Sequence, residues 1–102
     1  MPKIKLPWYY TAKNIAADVL RGRITDATKA GAYVCDCVKK VMQQTEQQAN
    51  GKLRIAVIDE TIRKNTRYVA GVAMKLYVSE RMVVQYTNDF VYAVAAELGF
   101  WE

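Results

Sequence analysis

Val72-Ala73-Met74-Lys75-Leu76-Tyr77-Val78-Ser79-Glu80-Arg81-Met82-Val83-Val84-Gln85-Tyr86 is the stretch on which the fold turns. Val69, Val72, Ala73 and Leu76 recur at i, i+3, i+4 and i+7, which is one face of a short helix. Ser79 is a good N-cap type. Beyond it Val83, Tyr86, Phe90 and Val94 line the inward stripe of a second helix that runs to about Leu98, with Gly99 as its terminator. A helix-turn-helix asks for a small residue where its helices cross, a bulky apolar residue ending the first helix and another in the turn. It then asks for an N-cap and inward apolar residues about four and seven positions on. Ala73, Leu76, Val78, Ser79, Val83 and Tyr86 fill those slots in order. The alternative is two amphipathic helices in an ordinary bundle.

The outer face of the second helix gives a separate indication. With Val83 at zero and about 100° per residue, Arg81, Gln85, Asn88 and Tyr92 all fall within about 40° of the opposite side. Arg pairs with guanine O6 and N7, and Gln or Asn with adenine N6 and N7, while Val84 on the flank suits a thymine methyl. Arg81, Val84, Gln85 and Asn88 are therefore the expected base-reading residues. Phosphate contacts are expected from Arg63, Lys64 and Arg67 before the unit, from Lys75 and Tyr77 at the turn, and from the helix start at Ser79. An ordinary solvated polar face would carry the same residue types.

The run Ala73-Met74-Lys75-Leu76-Tyr77-Val78-Ser79-Glu80-Arg81-Met82-Val83 resembles the helix-turn-helix of sigma-factor region 4 and of phage transcriptional regulators of the RinA and ArpU kind. The resemblance spans roughly residues 55–99. It implies a sequence-specific regulator that binds double-stranded DNA, acts as a homodimer and has RNA polymerase or another host protein as a further partner. One slot departs from the pattern. The motif often has Gly after Leu76, where a tight turn needs a positive φ, and Tyr77 stands there instead, which favours a slightly longer or differently wound turn.

Upstream, Pro7 opens a segment with Trp8, Ala12, Ile15 and Val19 at i, i+4, i+7 and i+11, closed by Gly22. Trp8-Tyr9-Tyr10 reads as an anchor clamping the N-terminus to the body or as an aromatic partner surface; the anchor is preferred. Thr25 or Asp26 caps a second helix whose Ala27, Ala30, Val34, Cys37, Val38, Val41 and Thr45 share one face, ending at Asn50-Gly51. Its Tyr33, Met42 and Gln-rich end suit either a dimer interface or packing within the chain. Residues 53–58, Leu-Arg-Ile-Ala-Val-Ile, fit a strand by β-branching and a helix by their continuation into Asp59-Glu60-Thr61-Ile62; helix is preferred. Asn65-Thr66 is the expected cap of the following helix. The rival is a β-meander through 53–58, 68–78 and 82–87.

The expected architecture is therefore all-α, a small bundle of about five helices in one domain over 1–102. A helical half, 1–51, holds a candidate dimerisation element, and 53–99 holds the helix-turn-helix and its long final helix. The 102 residues suffice for one core and are too few for a multidomain enzyme. Residues 1–81 carry all 15 Lys and Arg against seven acids, whereas 82–102 carry only Asp89, Glu97 and Glu102, a polarity suited to polyanions. With no histidine, Ser-His-Asp and Cys-His chemistry and the usual His-containing zinc sites are excluded. Cys35 and Cys37 project about 200° apart on a helix, so Cys37 is expected to be buried and Cys35 to flank it. Asp59-Glu60 is expected on a solvated face. No catalytic residue, metal ligand or cofactor is assigned. Met1-Pro2-Lys3-Ile4-Lys5 lacks the apolar run of a signal peptide and no segment is long enough to span a bilayer, so the expected compartment is the cytoplasm. A second function class is a helical interaction module, such as a phage-encoded inhibitor or adaptor of a host protein.

Overall fold

The computed structural model describes residues 7–100; Met1-Pro2-Lys3-Ile4-Lys5 and the terminal Glu102 lie outside the described residues. The chain is all-helical, with α1 (Pro7–Leu20), α2 (Lys29–Gln47), α3 (Gly51–Ile58), a π turn (Asp59–Arg63), α4 (Val69–Leu76) and α5 (Glu80–Glu97). The meander is thereby excluded: 53–58 belongs to α3, and 68–78 and 82–87 fall in the α4–turn–α5 unit. No helix among the described residues is long and apolar enough to cross a membrane.

Two buried clusters organise the bundle, and α5 belongs to both. Its C-terminal half contributes Phe90, Val91, Tyr92, Val94 and Ala95 to a core shared with Tyr9, Ala12 and Ala16 of α1, Val38 and Val41 of α2, and Ile58 and Ile62. Its N-terminal half contributes Val83 and Tyr86 to a smaller core with Val57 of α3 and Val72 and Ala73 of α4. The first cluster fixes α5 in the body. The second hangs the helix-turn-helix from the exposed start of the same helix.

Helix ends follow from local chemistry. The Ser79 hydroxyl accepts from the Met82 N–H at 3.1 Å, so the expected cap is the observed one. The cap of α2 is Thr28, which accepts from the Gly31 N–H at 3.0 Å, and neither Thr25 nor Asp26 serves. The helix consequently begins beyond Ala27, which is exposed together with Ala30. Asn65 does not cap α4 either. It takes the left-handed conformation at φ 55° just after the π turn, and α4 starts after Tyr68 with no side-chain cap. At the α2–α3 corner a Cβ on Gly51 would lie 1.9 Å from the Glu46 carbonyl oxygen, so this close approach requires glycine.

The turn between α4 and α5 keeps the tight form despite Tyr77. Tyr77 adopts φ 58° and ψ 44°, and the Val78 N–H donates to the Ala73 carbonyl at 3.0 Å while the Tyr77 N–H reaches that of Met74 at 3.4 Å. This six-to-one, five-to-two pattern is the Schellman closure. It also ends α1, through Gly22, and α5, through Gly99. At Tyr77 a non-glycine residue is held left-handed because Val78 is drawn into the small core beside Ala73.

Candidate nucleic-acid interface

The first two turns of α5 are open. Arg81 and Gln85 are exposed, Val84 is 43% exposed, and these three line one groove of about 710 Å³ with Asn88, Glu80 and Val69. All four expected base-reading side chains thus meet on one surface. Tyr92, which shares the outer face with Arg81, Gln85 and Asn88, does not join them: it is buried, edge-on to Trp8 at 5.3 Å and to Tyr9 at 5.8 Å between ring centres. Helix α1 covers the far half of α5, with Trp8 and Tyr9 acting as the anchor expected of them.

Asn88 lies at the edge of that cover. It is half-buried, and its Oδ1 accepts from the Tyr9 hydroxyl at 2.5 Å, across 79 positions of chain. Asn88 also borders a second, more polar cleft of about 440 Å³ between α1, residues 65–69 and α5, to which Tyr10, Asn14, Thr66 and Arg67 contribute. The α1 side of this surface was missed in the sequence because it depends on how the N-terminal helix docks.

The basic residues separate into two groups. Arg67 is exposed, pairs with nothing among the described residues and borders the cleft beside the groove. Arg63, Lys64 and Lys75 are held in ion pairs around the π turn. Arg63 bonds both carboxylate oxygens of Asp59, and Lys64 and Lys75 reach the two oxygens of Glu60 at 2.6 and 3.1 Å. Glu60 is buried, against the expectation of a solvated face, with its side chain 10% exposed. The hydrogen bonds from Lys64 and Lys75 hold its carboxyl below the usual range, and Arg63 does the same for Asp59.

Three features explain the π turn that carries this cluster. Thr61 is buried and bonds back to the Val57 carbonyl at 2.9 Å and to the Thr87 hydroxyl at 2.8 Å, which ties the turn to α5. The Lys64 N–H reaches the Asp59 carbonyl at 3.0 Å in the five-residue spacing of a π turn. From α1, the Arg21 guanidinium then takes up the carbonyls of Ile62 and Arg63 at 3.2 and 2.5 Å.

Ser79 spends its acceptor on capping, so what remains for an anion at the start of α5 is the hydroxyl proton and the first free N–H groups, with Glu80 exposed beside them. Tyr77 is 95% exposed and lies outside the groove beside Arg81, in a separate hollow with Ala70, Met74 and Val78 that adjoins it at Glu80. Both cysteines are buried, Cys35 donating to the Ile24 carbonyl at 3.3 Å and Cys37 facing that of Glu97 at 3.7 Å; Cys35 is thus more enclosed than a flanking position. No family model, curated protein or solved structure matches the chain.

Proposed function

We propose that this protein is a sequence-specific double-stranded DNA-binding regulator of the phage or mobile-element type, inserting the N-terminal half of α5 into the major groove. The observation that carries the proposal is the open start of α5: Arg81, Val84, Gln85 and Asn88 share one groove, while Phe90, Val91, Tyr92, Val94 and Ala95 further along the helix are buried. Base-edge readers at the N-terminal end of the second helix of such a unit match the docking geometry of helix-turn-helix proteins. Support for a phosphate contact is strongest at Arg67, since Arg63, Lys64 and Lys75 already serve Asp59 and Glu60. One such helix reads few base pairs, so a homodimer on two half-sites belongs to the proposal, with RNA polymerase or another host protein as an additional partner. The cytoplasm is the compartment such a role requires, and no reaction is assigned.

Titration of duplex DNA tests this directly. Alanine at Arg81 or Gln85 is expected to reduce the preference for a selected duplex over a scrambled one by about 10-fold while leaving the helical spectrum unchanged. Equal binding by wild type and variants would overturn the assignment.

A second reading has its own observation. Met74 is 76% and Tyr77 95% exposed on the hollow beside α4, with Tyr68 70% exposed nearby in sequence. Large apolar side chains so exposed suit a protein partner, and a pulldown that survives nuclease and high salt and is lost in Met74→Ser would favour a helical interaction module.

A further inference from the structure

Asn88 is the one base-reading candidate whose side chain is already engaged. A free asparagine amide rotates about its last torsion and can present the oxygen or the nitrogen to a ligand, which is why asparagine suits adenine: it accepts from N6 and donates to N7 at once. Here the Tyr9 hydroxyl donates to one of the two acceptor sites of Oδ1 at 2.5 Å and so fixes the rotation of the amide, whereas Nδ2 has no hydrogen-bond partner among the described residues. The donor is well fixed. Tyr9 is 1% exposed, its ring held edge-on against Tyr10 at 5.3 Å and Tyr92 at 5.8 Å. Burial pushes the hydroxyl up to about 12, so it keeps its proton throughout the physiological range. Asn88 itself stands where the groove beside Arg81 meets the cleft beside Arg67.

We propose that Tyr9 is a specificity-determining positioning residue, which by holding Oδ1 of Asn88 fixes the rotation of the amide so that Nδ2 is the group offered to the base edge, and so directs Asn88 to base-edge acceptors. Purine N7, guanine O6 and thymine O4 are acceptors of that kind, whereas the exocyclic amines of adenine and cytosine are not. This inference rests on the DNA-binding reading and adds to it a residue of the N-terminal helix, outside the helix-turn-helix, that tunes one position of the recognised sequence. Tyr9 touches no base. It acts through Asn88.

The test is selection of bound duplexes from a random pool with the wild type, Tyr9→Phe, Asn88→Ala and Tyr92→Phe, each checked for an unchanged helical spectrum. The phenylalanine at position 9 keeps the ring and removes only the hydroxyl. Tyr92→Phe removes a hydroxyl of the same aromatic cluster that makes no hydrogen bond to Asn88. The expected result is that Asn88→Ala flattens the preference at one position and that Tyr9→Phe changes that position alone. A released amide gains the paired contact to adenine, so its relative preference for adenine rises on the order of tenfold. Tyr92→Phe is expected to select the wild-type sequence. A Tyr9→Phe motif identical to wild type overturns the inference while leaving the DNA-binding reading standing, and so does a change of the same position in Tyr92→Phe. Absence of any motif with the wild type overturns both.

Discussion

Lys75 Nζ lies 3.1 Å from Oε1 of Glu60, joining the last turn of α4 to the π turn that precedes it. Lys64 holds the other oxygen at 2.6 Å, so two cations meet on one buried carboxylate. A lysine that looks in the sequence like a phosphate ligand thus also ties α4 to the π turn.

Lys75 and Arg67 should therefore respond differently to the same substitution. Lys75→Ala is expected to lower the thermal midpoint, at a cost of about 0.5–1 kcal/mol for a partly exposed pair, with little change in the salt dependence of DNA binding. Arg67→Ala is expected to leave the midpoint in place and to reduce the slope of log K against log salt by about 0.9, the loss of one phosphate contact. The reverse pattern would reassign the two residues.

Acid should loosen the same junction. Glu60 and Asp59 have folded values below their ordinary 4.5 and 3.8. Their contribution is therefore fully present above the unfolded values and is lost as pH falls through the folded ones. Thermal melts from pH 6 downward should show the wild type losing its advantage over Glu60→Gln below about pH 4.5. At neutral pH that variant should be less stable by about 1 kcal/mol, since both lysine side chains are roughly half exposed and their pairing is screened by water. A gap that stays constant into acid would contradict the ion-pair account.

Tyr77→Gly should stabilise the protein. The left-handed conformation at φ 58° costs a side-chain-bearing residue about 1–2 kcal/mol, and glycine pays back part of it in unfolded-state entropy. With Tyr77 95% exposed there is little packing to lose. A net gain of about 0.5–1 kcal/mol, or several degrees in the midpoint, is expected. A fall would mean that the ring contributes contacts that its exposure does not suggest.

How much of this was legible in the sequence depends on the range of the interaction. Ser79, Val83, Tyr86, Phe90 and Val94 could be placed because capping and helical periodicity act within a few residues, and each behaves as its spacing implies. Gly22 and Gly99 were readable as terminators for the same reason. Thr28 is not distinguishable in advance because Thr25-Asp26-Ala27-Thr28 offers three cap-forming residues in four positions, and the choice among them is made by where α2 packs. Asn65 suits a cap and a left-handed turn equally, and the π turn decides for the second. The burial of Tyr92 and Glu60 and the Tyr9–Asn88 bond rest on the docking of α1 and α4, contacts with no local signature. Of the candidate interface, the α5 face could be read in advance, and the cleft contributed by α1 could not.

Backbone amide shifts of the labelled protein, followed by NMR as a duplex selected for binding is added, test the proposed contact between the exposed start of α5 and DNA. The shifts are expected to cluster at Glu80–Asn88 and around residues 65–69, to persist at physiological salt and to be much reduced in Arg81→Ala. Shifts scattered over the basic residues that vanish with salt, or confined to Met74 and Tyr77, would contradict it.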